Sequence, residues 1–380
     1  MLDGRSVLLL CSNNYLGLAD HSRVKEAAVA AAERWGAGAG GSRLVSGTMT
    51  IHQRLEERLA AFKGSERALV FGSGYLANLG VLQALGTEGT LICSDELNHA
   101  SIVDGCRLAR ARTAVYAHND VEHLRWLLER APERDALVVT DSVFSMDGDL
   151  APLEELGELT AARGARLIVD EAHATGCVGP GGRGAVAEAG LDGAEHVVIV
   201  GTLGKALGSY GAFVASSALV RELLVNTARP FIFSTAPPPA ALGGALAALE
   251  LLSEEPERVA QLQSRARTLC DELAREGFDV AGSSTQIVPL VVGEARQAMA
   301  ICEAALELGV FAQAIRPPTV PEGTSRLRLA VMASHTKEEL REAARTLGRA
   351  ALKAGFRPGE GIPVAAASGP RQERLEGWAA

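Results

Sequence analysis

The sequence predicts an α/β fold, with a large domain on a mostly parallel sheet and a smaller α+β domain after it. Two observations carry this. From about Ser65 onward, short apolar runs alternate with amphipathic stretches, the texture of βα units feeding a parallel sheet. After "PFIFSTAPPPA" (230–240) that alternation gives way to a long Ala/Leu-rich helical stretch and two shorter strands. The length of 380 residues, 47% of them hydrophobic, suits two or three domains at roughly 150 residues each.

Residues 1–45 are expected to pack beside the smaller domain. The large domain, 46–244, has six strand candidates: "ALVFGSG" (68–74), "GTLICSD" (89–95), "ALVVTDSVFS" (136–145), "ARLIVDEAH" (165–173), "HVVIVGTLGK" (196–205) and "GAFVASS" (211–217). Between them, 75–86, 100–110, 120–131, 152–163 and 218–227 carry apolar residues at three- and four-residue intervals and read as helices. The small domain, 245–357, holds part of a helical stretch from about 240 to 275, then the strands "TQIVPLVVG" and "GVFAQAIRPP" alternating with helices. Residues 358–380 mix Gly, Pro, Ala and charges without period and read as a mobile tail.

Composition excludes several functions. With 37 basic against 46 acidic residues the formal charge is −9, and no basic block or basic-aromatic interleaving suggests nucleic acid or an anionic membrane as partner. Six scattered cysteines lack a C-x-x-C pair or zinc-ligand spacing, so they read as reduced core thiols, with no metal site. No apolar stretch reaches the roughly eighteen residues of a membrane span, and "MLDG" is acidic where a signal peptide is basic. The expected location is the cytoplasm.

In parallel α/β sheets, ligands bind beyond the carboxyl ends of the strands. Five such ends are rich in polar residues: Gly74-Tyr75, Asn98-His99, Ser145, Asp170 with His173, and Thr202 with Lys205. A partly desolvated lysine at a strand exit is a usable amine nucleophile able to form a Schiff base. Alone, Lys205 reads as a side chain that snorkels into water or pairs with an acid. Asp170, one strand earlier, shifts the weight, because a carboxylate there can keep a pyridinium protonated and make the ring an electron sink. "GSGYLAN" (72–78) opens a helix at a strand exit, and free N–H groups there suit a phosphate. Thr202 adds a hydroxyl. His99 could stack on a flat ring and His173 could hydrogen-bond its phenolic oxygen, although single histidines are more often structural. "GAGAGG" (36–41) fits a dinucleotide fingerprint by letter but follows a helical stretch instead of a strand, which argues against a nicotinamide cofactor.

Six segments then carry a resemblance: "CSNNYLGLADH" (11–21), "GAGAGGSRLVSGTMTIHQRLEERLAAFKG" (36–64), "FSMDGDLAPL" (144–153), "VDEAHATGCVGPGGRG" (169–184), "GTLGKALGSYGAF" (201–213) and "AIRPPTVPEGTSRLRLAVMASHT" (314–336). Together they resemble the α-oxoamine synthases, from about residue 8 to about 350. The resemblance implies a fold-type I transferase dependent on pyridoxal 5'-phosphate, with a mostly parallel seven-stranded sheet, that condenses an amino acid with an acyl thioester and releases carbon dioxide. Within the family, "IRPPTVPEGTSRLRL" is most similar to the biotin-pathway branch that joins L-alanine to a pimeloyl thioester carried by coenzyme A or an acyl-carrier protein. The branch that joins glycine to an acetyl thioester, or another branch of the family, is the alternative.

Carried over position by position, the resemblance implies Lys205 as the Schiff-base lysine, Asp170 on the ring nitrogen, His173 on the phenolic oxygen with Ser145 nearby, and His99 stacked on the ring. It implies that the backbone at Gly74 and Tyr75, with Thr202, binds the phosphate. Ser234 or Thr235 is implied to reach a neighbouring subunit's phosphate, hence a homodimer with shared active sites. Asn13 and Arg328 match positions that hold the amino-acid carboxylate, and Thr319 one that contacts the acyl substrate. In that chemistry Lys205 is both anchor and base. The sequence departs from the family ahead of "NYLGL", where the family carries a longer segment with a basic residue beside the acyl substrate, so that residue's contact is not among those carried over. An aminotransferase or decarboxylase of the same fold, or a non-catalytic partner subunit, are the competing readings; the presence of Lys205, Asp170 and His173 argues against the last.

Overall fold

The computed structural model describes residues 2, 4–133, 135–280 and 282–359. They cluster into two compact units, one of Leu16–Phe144 and Leu150–Val259, the other of the segment up to Tyr15, Ser145–Asp149, and the chain from Ala260. In chain order the strands are β1 (Leu8–Leu9), β2 (Arg67–Phe71), β3 (Thr90–Asp95), β4 (Arg112–Tyr116), β5 (Asp135–Asp141), β6 (Arg166–Asp170), β7 (Val197–Thr202), β8 (Ala212–Ser216), β9 (Ile287–Gly293), β10 (Val310–Phe311), β11 (Gln313–Ile315) and β12 (Ser325–Ala330).

The larger unit holds the expected mostly parallel seven-stranded sheet, in the order β2-β8-β7-β6-β5-β3-β4. Only β8 runs antiparallel to its neighbours. The inner strands are buried on both faces, which is why they read as near-continuous apolar runs. One face packs on the helices Gly74–Leu85 and Ala218–Thr227 through Val81, Leu82, Ile92, Ile168, Val198, Val214 and Leu224. The strand order reverses between β3 and β5, and in such sheets ligands bind beyond the carboxyl ends of the strands at that point.

Besides the two-residue β1, two strands escaped the sequence pattern. β4, "RTAVY", is a sheet edge whose residues are mostly in contact with water, so no apolar run marks it. β12, "SRLRLA", is fully buried despite two arginines. "GVFAQAIRPP" supplies two short strands in different sheets, β10 pairing with β1 and β11 with β12. The helical stretch expected from about 240 to 275 is two helices, Pro239–Glu254 and Glu257–Arg275, broken where Pro256 pushes Glu255 to φ −123° and ψ 61°.

The division of the chain differs from the expected limits at 45 and 244. Residues 16–45 and 245–259 cluster with the larger unit, because the helix Ser22–Trp35 packs along Pro239–Glu254 there. The helix Ser22–Trp35 also stands where "GAGAGG" would need a strand. The tail expected at 358–380 lies, from residue 360, outside the described residues.

The smaller unit is built on the antiparallel sheet β11-β12-β9. The helix Lys337–Lys353, opened by a capping box of Thr336 and Glu339, buries Leu340, Ala343, Ala344, Leu347 and Ala351 along one face. The segment Ser145–Asp149 belongs to this unit because β12 grips it: Arg326 pairs with Asp147, Arg328 Nε donates to the Ser145 carbonyl, and Thr285 Oγ1 donates to the Gly148 carbonyl at 2.8 Å. Among the described residues no helix is long and apolar enough to cross a membrane. The six cysteines are free, and burial pushes the Cys93 thiol up to about 12.

Candidate active site

In the larger unit, β5, β6 and β7 end side by side, with Asp141 opposite Asp170 in the register and Asp170 opposite Val200. Past the end of β7 the chain turns back on itself, Gly208 N donating to Lys205 O at 3.0 Å and Ser209 N to Leu203 O at 2.9 Å. Gly208 takes φ 61°, and a Cβ there would run into the backbone of Ala19, so only glycine closes this turn. That turn presents Lys205, half-buried, with Nζ 2.8 Å from Nε2 of the buried His173.

Asp170 is buried, and each carboxylate oxygen accepts a hydrogen bond: Oδ1 from Ala172 N at 2.8 Å, Oδ2 from Asn78 Nδ2 at 2.6 Å. A carboxylate offers about four acceptor directions, so Asp170 keeps capacity for a further donor. Asp141 is buried next to it and accepts from His99 N at 2.7 Å. Burial raises the Asp141 pKa well above the usual carboxylate range, and the Asp170 charge adds to the rise. Asn98 clamps β3 to β5, donating to Val139 O at 2.8 Å and accepting from Asp141 N at 2.8 Å, which fixes where the next residue, His99, emerges. Loss of surrounding water lowers the His99 pKa; Asp170 opposes this and Lys205 reinforces it. Nδ1 of His99 accepts from Ser101 N at 3.2 Å.

The helix Gly74–Leu85 begins beside these groups, with Ser73 Oγ capping Leu76 N at 3.3 Å. The N–H groups of Gly74 and Tyr75 lie in its first turn, where no intrahelical acceptor exists. A Cβ added at Gly74 would meet nothing within 4 Å, so the space above this terminus is open. Tyr75 donates its hydroxyl hydrogen to Asp104 at 2.6 Å. Thr202 Oγ1 donates to Gly211 O at 3.1 Å and accepts from Gly204 N at 3.2 Å. Thr235 is exposed, on a segment joined to "GAGAGG" by a bridge from Ser42 to Thr235 and by Ala236 N donating to Gly41 O at 2.9 Å. Below the loop that carries His173, the buried Lys63 pairs with Glu171 and donates to Thr175 Oγ1 at 2.8 Å and Arg183 O at 2.6 Å.

The smaller unit gathers a second group. Arg328, buried on β12, donates from Nη1 to Asn13 Oδ1 at 3.2 Å and from Nη2 to the Tyr15 hydroxyl at 3.3 Å, besides its bond to Ser145 O. Tyr15 in turn donates to Asn13 Oδ1 at 2.9 Å. Thr319 is exposed in the turn after β11, its N–H on Arg316 O at 3.1 Å.

Lys205, His173, Asp170, Thr202, His99, Gly74 and Tyr75 therefore share the larger unit, while Asn13, Ser145, Thr319 and Arg328 share the smaller one. Sequence reasoning missed Asn78, Ser101, Asp141 and Tyr15. Asp141 ends a strand as Asp170 does and the same rule could have found it. Nothing in the sequence marks Asn78, which meets a residue ninety-two positions away.

Known proteins resemble this chain in sequence and in fold. The model of the family "Aminotransferase class I and II" matches residues 5–347. The chain is 55% identical to the 8-amino-7-oxononanoate synthase of Geobacter sulfurreducens, covering 93% of this chain and 91% of that one. A serine palmitoyltransferase from S. paucimobilis, solved with a bound PLP–myriocin aldimine, superposes with a TM-score of 0.89 at 35% identity over 93% of this chain and 89% of that one. The 8-amino-7-oxononanoate synthase of Francisella tularensis superposes with a TM-score of 0.78 at 26% identity over 92% and 99%.

Proposed function

The chain belongs to the aminotransferase class I and II family, and on that premise we propose that it condenses L-alanine with a pimeloyl thioester to give 8-amino-7-oxononanoate, carbon dioxide and the free thiol, a step of biotin biosynthesis. The cofactor is pyridoxal 5'-phosphate. When bound, it supplies an electron-accepting ring that stabilises negative charge at the carbon beside the amine. The observation that carries this reading is the meeting of Lys205 Nζ with His173 Nε2 at 2.8 Å, beyond strands whose neighbour ends in the buried Asp170. The relatives named above supply the choice of substrates.

The residues fit that group. Asp170 has acceptor capacity left for a ring N–H, the open space above Gly74 and the free N–H groups of Gly74 and Tyr75 suit a phosphate, and Lys205 is an accessible amine. In the larger unit Lys205 anchors the cofactor, and its freed Nζ removes the α-proton of L-alanine. With the cofactor bound, Asp170 would hold a proton on the ring nitrogen, His173 would hydrogen-bond the phenolic oxygen, His99 would stack on the ring, and Thr202 would join the phosphate contacts. Ser145, in the smaller unit, is the further residue that the resemblance assigns to the cofactor.

In the smaller unit the guanidinium of Arg328, its fork oriented by Asn13 and Tyr15, pairs with the alanine carboxylate, and Thr319 contacts the acyl group. The enzyme works as a cytoplasmic homodimer, Ser234 or Thr235 reaching the phosphate of the partner subunit; the exposure of Thr235 on an anchored segment supports this.

The test is to incubate the purified chain with pyridoxal phosphate, L-alanine and pimeloyl-CoA, and to follow the aminoketone by mass spectrometry and the thiol by titration. Equal amounts of 8-amino-7-oxononanoate and coenzyme A are expected. Preferential turnover of glycine with acetyl-CoA, or transamination of alanine without thiol release, overturns the proposal.

A further inference from the structure

The hydrogen bonds beneath the candidate active site run in one direction. Asn78 stands one turn into the helix Gly74–Leu85 and is buried. Its amide nitrogen spends both hydrogens, one on Asp170 Oδ2 at 2.6 Å and one on Ser101 Oγ at 2.9 Å. A hydroxyl has one hydrogen. With its oxygen accepting from Asn78, Ser101 turns that hydrogen to Nδ1 of His99, 2.8 Å away. The backbone N–H of Ser101 points at the same Nδ1 from 3.2 Å, so this ring nitrogen accepts and carries no proton. A ring whose Nδ1 accepts hydrogen bonds is neutral, which leaves its one N–H on Nε2.

The orientation of the Asn78 amide is fixed by the same bonds. Its Oδ1 is buried without a partner, yet exchanging oxygen and nitrogen would set Oδ1 against the Asp170 carboxylate. An unpaired amide oxygen is the lesser penalty, since a buried carboxylate facing a second acceptor is worse off.

We infer that Asn78 and Ser101 are positioning residues, forming a directed chain from Asn78 to Asp170 on one side and through Ser101 to His99 on the other. The chain orients the Asp170 carboxylate and locks His99 as the Nε2–H tautomer. Because Asn78 shares its helix with Gly74 and Tyr75, one rigid element also sets the spacing between the candidate phosphate site and Asp170. What these groups do in turnover rests on the proposed function; the tautomer of His99 is a property of the chain without any ligand.

The experiment records long-range 15N–1H correlations of the histidine rings in the full-length, cofactor-free protein at neutral pH, the His99 signals being identified by their loss in His99→Gln. Wild type is expected to show His99 as the Nε2–H tautomer. Ser101→Ala and Asn78→Leu shift it toward a mixture, and Ser101→Thr, which keeps the hydroxyl, restores the wild-type pattern. In the loaded enzyme the first two variants lower kcat by about tenfold or more, the effect of losing a buried hydrogen bond, with KM for L-alanine little changed. A proton on Nδ1 in the wild type, or an unchanged tautomer in Ser101→Ala, overturns the inference. The expected tautomers in a protein that does not condense alanine with pimeloyl-CoA leave the inference standing and count against the proposed function instead.

Discussion

Lys205 Nζ lies 2.8 Å from His173 Nε2, and the two reach each other from the ends of neighbouring strands β7 and β6. When the amine is protonated it donates, so Nε2 of His173 accepts and the imidazole proton sits on Nδ1. Amine and imidazole are thus close enough to exchange a proton. Lys205→Ala is expected to lower turnover of L-alanine by at least about a hundredfold, the contribution of a positioned base. Lys205→Arg should do the same, because a guanidinium does not give up its proton near neutral pH. Single-turnover product formation checks this, and an active Lys205→Arg variant would remove the lysine from the chemistry.

Arg328 uses its guanidinium on Asn13, Tyr15 and Ser145 at once. An ammonium on a flexible stem cannot repeat that fork. Arg328→Lys is therefore expected to raise KM for L-alanine roughly tenfold or more, the worth of a charge-assisted pair, with a smaller change in KM for the thioester. Steady-state kinetics with each substrate varied in turn decides it.

The buried pair Lys63–Glu171 supports the loop between Asp170 and His173. Burial lowers the Lys63 pKa, and Glu171 opposes that shift. Removing one partner strands the other charge, so Lys63→Met is expected to cost about 3–5 kcal/mol in denaturant unfolding. Adding Glu171→Leu should recover part of the loss. Equal unfolding midpoints for wild type and Lys63→Met would show that the pair contributes nothing.

His52 is buried with both ring nitrogens engaged: Met49 N donates to Nδ1 at 3.2 Å and Nε2 donates to Pro237 O at 3.2 Å. A second ring proton has nowhere to go. Burial, with the Arg43 cation adding to it, lowers the His52 pKa to about 4 from an ordinary 6.5. The unfolded chain then binds the proton more tightly than the folded one, so this contribution to stability is complete above pH 6.5 and falls as pH drops toward 4. Melting temperatures measured across that window should decline less steeply for His52→Gln than for wild type; parallel declines would rule His52 out as a source.

The candidate site was legible where burial writes itself into composition. β5, β6 and β7 are covered on both faces and spell apolar runs, so the polar residues that end them, Asp170 and Thr202, stand out, with Lys205 three residues beyond Thr202. β4 and β12 fail that test for opposite reasons. One is an edge strand facing water, and the other buries two arginines whose partners, Asp147 and the Ser145 carbonyl, are supplied from far up the chain.

The sequence by itself determined the strand-helix alternation, the identity of the amine, carboxylate and imidazole at the strand ends, and the family to which they belong. These follow from local chemistry: apolar runs must be buried, and the groups that end them emerge on one side of a parallel sheet. Only the tertiary structure decided that Asn78 braces Asp170, that Ser101 sets the His99 tautomer, and that Ser145–Asp149 leaves one unit for the other. Those outcomes depend on hydrogen bonds between residues remote in the chain, and a directional bond has no period or composition through which a sequence can announce it.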